Sequence, residues 1–447
     1  MFEAAIRRRK PSAICNQFGA WRSVFAGALF FLGLVPAGDD AAAKDARTEL
    51  ACSICKSLVA QMSGEVNQPF LFRSFEPANG GSALHPTLEN TSFTYDNSLA
   101  LIALYGCGYR EEASRVADAF VVAVETDRHY HDGRLRNAYR SGPTAAGPEG
   151  MLLPGYWNAV SNTWIEDGYQ VGSATGSTAW GALGLLAAHD ETQQPAYLDA
   201  ARRIMDWIHR ATLDKQNGGY FGGFFGHEPT PERLTWKSTE HNVDVYAVDR
   251  WLARADEGGD WNRYAEIAEA FVKDMWDEEE GRFYIGTLPD GVTPNVTMTG
   301  LDAALWPLIA LPGVTDKVAS ALAWVERNHG VPGGFDFNDD KDGIWLEGTA
   351  QAALVYELTG YGKKAEPLFQ TIAAQVSPGG LVYATAQDEI TTGLQVGPNS
   401  APGDFKYFRL PHVGAASWAV IAALGLNPFI APSQQRSEEE DAPCLRK

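Results

Sequence analysis

Apolar positions along this chain fall into two recurring helical patterns rather than the strict alternation of strands. One pattern is apolar nearly all round and rich in Ala, Gly, Leu and Trp. It reads TYDNSLALIALYG (94–106), TGSTAWGALGLLAA (175–188), TEHNVDVYAVDRWLA (239–253), TGLDAALWPLIAL (299–311), LEGTAQAALVYELTG (346–360) and HVGAASWAVIAALG (412–425). The other carries charges on one face only: REEASRVADAFVVAVE (110–125), AYLDAARRIMDWIHRA (196–211), WNRYAEIAEAFVKDMW (261–276), TDKVASALAWVERN (315–328) and YGKKAEPLFQTIAA (361–374), with ELACSICKSLVAQM (49–62) as first member. Helices apolar on all sides are buried, and those with one polar face lie at a surface. The two kinds alternate. Six such hairpins, each burying its face only against its neighbours, predict a closed double ring. This is an all-α (α/α)6 barrel of twelve helices, in which small residues let the six inner helices converge. An open superhelical solenoid is the alternative, but it predicts a more regular repeat than these unequal loops allow.

The loops carry a second signal. Those entering the inner helices are long and full of Gly, Pro and aromatics, at 127–174, 212–238, 277–298, 330–345 and 375–411, whereas those leaving are short. Long loops in a compact domain are usually functional. They are expected at one rim, where the inner helices begin.

The N-terminus reads as an export signal over 1–43: Arg7, Arg8, Arg9 and Lys10, an apolar run from Val24 to Val35, then Ala41, Ala42 and Ala43. A retained N-terminal anchor is the alternative, although the run is short for a bilayer span. The barrel is expected over 44–430 and a disordered acidic tail over 431–447. Losing 1–43 removes five basic and three acidic groups, which moves the formal charge from −20 to −22. A surface that acidic disfavours nucleic acid as a partner and leaves neutral polymers open. A periplasmic or secreted location follows, with no membrane contact after signal removal. Five cysteines are too few for a disulfide scaffold. Cys52 and Cys55 read as structural or incidental, Cys107 as core and Cys444 as part of the polar tail.

Acidic and His residues gather at or just before the inner-helix starts: Asp96, then Glu166 and Asp167, then Glu240, His241 and Asp244, then Asp302, Glu347 and His412. Helix capping alone accounts for many first-turn carboxylates. Glu240 and Asp244, however, share one face of an otherwise apolar helix, where burial of charge is costly without a partner or substrate. The rim loops add Trp157, Trp164, Tyr169, Tyr220, Phe221, Phe224, Phe225, Trp236, Phe335 and Trp345. Flat rings beside carboxylates suit a sugar cleft.

The six hairpins with acidic inner-helix ends resemble the six-hairpin glycosidase superfamily over roughly residues 45–430. The stretch Trp164-Ile165-Glu166-Asp167 is similar to the glucoamylase motif, in which a Trp precedes paired carboxylates and the first is the general acid. The segments Ser238-Thr239-Glu240-His241-Asn242 and Trp345-Leu346-Glu347-Gly348-Thr349-Ala350 look like motifs of uncharacterised bacterial members. That resemblance implies a glycoside hydrolase of an extracytoplasmic oligo- or polysaccharide, inverting, with a carboxylate pair as acid and base. The acid candidates are Glu166 and Glu240, and the base candidates are Glu347 and Asp96. Trp157, Trp164, Asp167, Tyr169, His241, Asp244, Asp302, Trp345 and His412 are the expected substrate contacts.

Two alternatives stay open at this level. A polysaccharide lyase needs a positive feature to neutralise a uronate and a Tyr or His base, for which Arg134, Arg136, Arg140, His129 and His131 are available. A non-catalytic sugar-binding subunit of polysaccharide export is the other, whereas a sugar epimerase of similar fold is disfavoured because such enzymes work on cytoplasmic sugars and this chain reads as exported. The chain has no G-x-S-x-G, H-E-x-x-H or G-x-x-x-x-G-K-[ST] motif, which disfavours serine hydrolase, zincin and nucleotide enzyme. No cofactor is expected. The run Asn338-Asp339-Asp340-Lys341-Asp342-Gly343 resembles the first half of a calcium loop but has Thr349 at its twelfth position, so it reads as a turn with calcium as the lesser reading.

Overall fold

The structure, a computed structural model, describes residues 37–77, 84–144, 150–435 and 443–445. The expected signal lies outside the described residues up to position 36, and so does the acidic run 436–442. Ala37–Ala43 open the first helix.

The long helices alternate outer and inner. The outer set is α1 (Ala37–Gln61), α3 (Arg110–Glu125), α5 (Pro195–Ala211), α7 (Trp261–Asp274), α9 (Val318–Asn328) and α11 (Glu366–Ala374). The inner set is α2 (Thr94–Cys107), α4 (Thr175–Thr192), α6 (Thr239–Ala255), α8 (Leu301–Leu305 and Pro307–Ala310), α10 (Leu346–Leu358) and α12 (Val413–Ala423). Each inner helix packs on the next, and α12 returns to α2, so the inner ring closes rather than opening into a superhelix. The hydrophobic pattern predicts one continuous helix over 299–311. Pro307 divides it, because proline has no N–H to donate to the preceding turn.

Local chemistry sets the turns. Gly108 ends α2 in the left-handed region at φ 98°, where a side chain would be strained, and its tight turn starts α3 two residues later. At the other end of the barrel the chain enters each inner helix from extended loop. The loops add small antiparallel pairings absent from the helical reading, such as Thr91–Phe93 with Ala138–Arg140 and Glu389–Thr391 with Lys406–Phe408.

Trp180, Trp306 and Trp418, from the alternate inner helices α4, α8 and α12, meet on the barrel axis with ring centroids 5.5–6.0 Å apart, and Phe429 packs on Trp180 and Trp306. Three fully buried indoles fill the axis. They form an aromatic floor, and the Trp418 indole N–H reaches up from it to the Tyr95 hydroxyl at 2.8 Å.

The cysteines depart from expectation. Cys52 pairs with Cys444 and Cys55 with Cys107, so the tail is tied back to α1 and α1 to α2. Residues 431–435 are also held, by Ser433 on Asp190 and by Gln435 on Asn427. The disordered tail expected over 431–447 is therefore corrected at both described ends. The spacing of so few cysteines gives no clue to partners 392 residues apart.

Candidate active site

Five carboxylates converge where the inner helices begin. Asp96 lies in the first turn of α2, Glu240 and Asp244 on α6, Asp302 in the first turn of α8 and Glu347 in that of α10. His412, at the start of α12, is the basic group among them. Its Nδ1 accepts from the Ala415 N–H at 3.2 Å, which caps the helix and leaves Nε2 to donate to Asp96 Oδ2 at 3.2 Å. Glu347 Oε2 stands 3.8 Å from His412 Nδ1, and Tyr95 donates to Glu347 Oε1 at 2.7 Å.

Glycines make the room. A Cβ on Gly414 would lie 2.7 Å from His412, 2.8 Å from Asp96 and 3.1 Å from Glu347, and one on Gly176 would lie 2.3 Å from the His241 ring. Both positions open inner helices, so the small residues that let these helices converge also let side chains cross the axis.

The protonation pattern follows from burial. Burial and the neighbouring Asp302 and Asp244 hold Glu240 well above the usual carboxylate range, and Glu240 hydrogen-bonds the Asp302 carboxyl. Burial lifts Asp302 to about 6, with the Ala303 N–H and Glu240 limiting the rise. Asp244 is fully buried, and burial followed by the neighbouring Asp302 pushes it up as well, with the Trp180 indole limiting the rise. Glu347 is lifted by burial to about 7, restrained by His412 and the Tyr95 hydrogen bond. Burial works against an imidazolium at His412, but Asp96 and then Glu347 outweigh it and the net shift is upward. His241, with no such partner, is driven down to about 4 by burial and is neutral at pH 7. Like charges this close cannot all ionise, so the cluster keeps protons at neutral pH.

Solvent reaches it from one side. Tyr95, Tyr169, Glu240, His241 and Tyr407 are crowded by protein yet keep partial exposure, whereas Asp96, Asp244, Asp302, Glu347 and His412 are buried beneath them. Trp236 lies beside His241 at 5.5 Å, and Tyr407 beside His412 at 6.2 Å. Tyr407 comes from the long loop before α12 and has no sequence signal. Tyr95 has one, since it directly precedes Asp96.

Several expected residues sit elsewhere. Both oxygens of Glu166 are held at 2.7 Å by Arg128, which also binds Glu228, so Glu166 is occupied by a guanidinium and is corrected as an acid candidate. Asp167 caps the helical turn Gly168–Val171 through the Tyr169 and Gln170 N–H groups. Trp345 is buried behind Tyr407 and Phe337, and supports the site without lining it. Trp157 and Trp164 face each other on an exposed hairpin outside the cluster. The glucoamylase-like stretch thus supplies a cap and an ion pair, because a short motif does not fix which way its carboxylates point.

Two of the cations available to a lyase are held in ion pairs. Arg136 is buried against Asp127 and Glu228, Arg134 pairs with Asp132, and Arg140 lies over the Trp164 ring. A cavity of about 730 Å³ between α5 and α7 is lined by His209, but both ring nitrogens of that histidine are bound, to Asp249 and Tyr220, at 3.0 Å each. It holds none of the clustered carboxylates. The stretch 338–343 forms a turn in which Asp340 and Asp342 bind Thr391. The ligand oxygens of Asp336, Asp340 and Asp342 lie within 4.8 Å of one another.

Neither a protein-family model nor a curated protein sequence matches the chain. Solved structures do. A cellobiose 2-epimerase from Bacillus thermoamylovorans superposes with TM-score 0.59 at 12% identity, over 86% of this chain and 99% of that one. A glycosidase variant in complex with glucose gives 0.57 at 12%, over 88% and 100%. A sugar epimerase from a ruminal bacterium gives 0.57 at 12%, over 86% and 100%. The fold is the (α/α)6 barrel. In this barrel the carboxylate cluster occupies the rim where the six inner helices start.

Proposed function

We propose that this chain is a glycoside hydrolase acting on an extracytoplasmic oligo- or polysaccharide with inversion, as the resemblance to the six-hairpin glycosidases implies. The reading is carried by a pair of carboxyl groups in unlike surroundings at one rim: Glu240, beside Asp302 and pushed well up by burial, and Glu347, held between the Tyr95 hydroxyl and His412 and lifted to about 7. Glu240 is the general acid for the leaving oxygen, and Glu347 is the base that takes a proton from water. Their helices, α6 and α10, are separated by the whole of α8. An inverting mechanism needs these two carboxyl groups far enough apart to admit a water between base and sugar. Asp96 holds His412, and Asp302 sets the proton on Glu240. Tyr169, His241 and Tyr407 are the substrate contacts.

Export is supported by the two disulfides, which persist in oxidising compartments. No cofactor enters this mechanism, and the substrate is the only partner it requires. A second reading, sugar epimerisation, is favoured by the epimerases of the same fold and by the buried His412. The experiment that separates the two is incubation of an oligosaccharide panel in water labelled with 18O and, in parallel, in D2O. Hydrolysis forms a new reducing end carrying the label on the anomeric carbon. Epimerisation leaves chain length unchanged and exchanges a carbon-bound hydrogen.

A further inference from the structure

The hairpin formed by Tyr156–Asn158 and Thr163–Ile165 presents Trp157 and Trp164 as a directly opposed cross-strand pair. They are 56% and 42% exposed, and are the only exposed tryptophans among the described residues. Val160 at the tip is 98% exposed. Solvated indoles side by side lose the free energy that burial would give, so such a patch marks a binding surface.

The patch is also held in place. A Cβ on Gly155 would lie 2.6–2.7 Å from the Ile165 carbonyl and the Trp164 ring, so the indole packs closely on the glycine backbone, and the Arg140 guanidinium lies 5.2 Å from its centroid. Asn90 binds the Gly155 backbone twice, accepting at 3.2 Å and donating at 2.8 Å, and Asn158 caps the tip through the Val160 and Ser161 N–H groups. A ring fixed before binding loses little rotamer entropy on contact.

Its chemistry selects an occupant. The ten residues YWNAVSNTWI contain no charged side chain, only aromatic faces with Asn, Ser and Thr between them. Without Lys or Arg the hairpin is poorly suited to a lipid surface. The chain also ties it to the rim that bears the cluster. Asn90 leads through Thr91–Phe93 into the helix bearing Asp96, and Trp164 is five residues from Tyr169, a reach of at most about 17 Å.

We propose that this hairpin is a stacking platform for sugar residues of an uncharged polysaccharide whose chain continues into the carboxylate cleft. The inference rests on the carbohydrate reading of that cleft and adds that the substrate is a polymer longer than the cleft itself. The test is native electrophoresis through gels containing hydroxyethyl cellulose, mixed-linkage β-glucan, galactomannan or pullulan. It is paired with kinetics on the polymer that retards the protein and on its trisaccharide. Wild type and Glu240→Gln should be retarded alike in at least one gel, and Trp157→Ala/Trp164→Ala should not. The ratio of kcat/KM on polymer to that on trisaccharide should fall about tenfold or more in the double variant, as expected for truncating a central aromatic contact. Trp157→Tyr/Trp164→Tyr should restore part of both. Absence of retardation in every gel, equal retardation of the double variant, or a tryptophan-dependent dimer in sedimentation would overturn the proposal. Retardation without turnover would leave the platform standing and remove the hydrolase reading.

Discussion

Replacing Tyr95 with Phe removes one oxygen, which donates to Glu347 Oε1 at 2.7 Å and accepts from Trp418 at 2.8 Å. Burial holds the Tyr95 phenol well above its usual range, so in the native protein this oxygen is always a donor. A hydrogen bond to a charged group contributes about 1.5–3 kcal/mol, equivalent to about 1–2 pH units in the proton affinity of its acceptor. Loss of the donor penalises ionised Glu347, so its titration moves upward from about 7. If Glu347 is the base, the ascending limb of kcat/KM against pH should move up by the same about 1–2 units. Activity at pH 7 should fall about 5- to 50-fold and return as the pH is raised, until the titration of Glu240 ends it. The Trp418 N–H is left buried without an acceptor, at a cost of about 1–3 kcal/mol in stability. Thermal unfolding must accompany the profile, which should be taken below the lowered midpoint. An ascending limb that stays in place while overall rate drops would refute the assignment of Glu347 as the titrating base.

Glu166→Gln should lose little turnover, because the residue serves Arg128 at the outer loop; a loss approaching that of Glu240→Gln in the same assay would restore it as the acid. Gly414→Ala drives a methyl against His412, Asp96 and Glu347. Turnover should fall at least tenfold, while overpacking costs about 1–3 kcal/mol in denaturant unfolding, and unchanged kinetics would argue against a tightly set cluster. Reduction of both disulfides, or Cys52→Ser with Cys444→Ser, should cost about 2–5 kcal/mol, visible as a fall in Tm; an unchanged Tm would mean the tail contributes no constraint.

The barrel was legible because its two helix classes differ in burial, which amphipathicity records directly, and α3 falls on the residues its polar stripe predicts. Pro307 breaks α8 where backbone chemistry overrides the pattern. Helix-start position singled out Asp96, Glu240, Asp302, Glu347 and His412, and the structure gathers them because inner-helix starts share one rim. Position could not show that Glu166 turns to Arg128, because that arginine is 38 residues away in sequence. Tyr407 and the Cys52–Cys444 link were equally hidden, being set by loop paths and chain closure that no local pattern encodes.

The central claim is that Glu240 gives and Glu347 takes a proton in glycoside hydrolysis. The most direct measurement is turnover of one cleaved oligosaccharide by wild type, Glu240→Gln and Glu347→Gln, with the anomer of the first product read by NMR and substrate affinity read by calorimetry. The expected result is an inverted anomer for wild type and a fall of about 10²- to 10⁴-fold in kcat for each amide variant, with affinity nearly unchanged. A retained anomer would contradict the single-displacement geometry. Near wild-type turnover in either variant would contradict the pair itself.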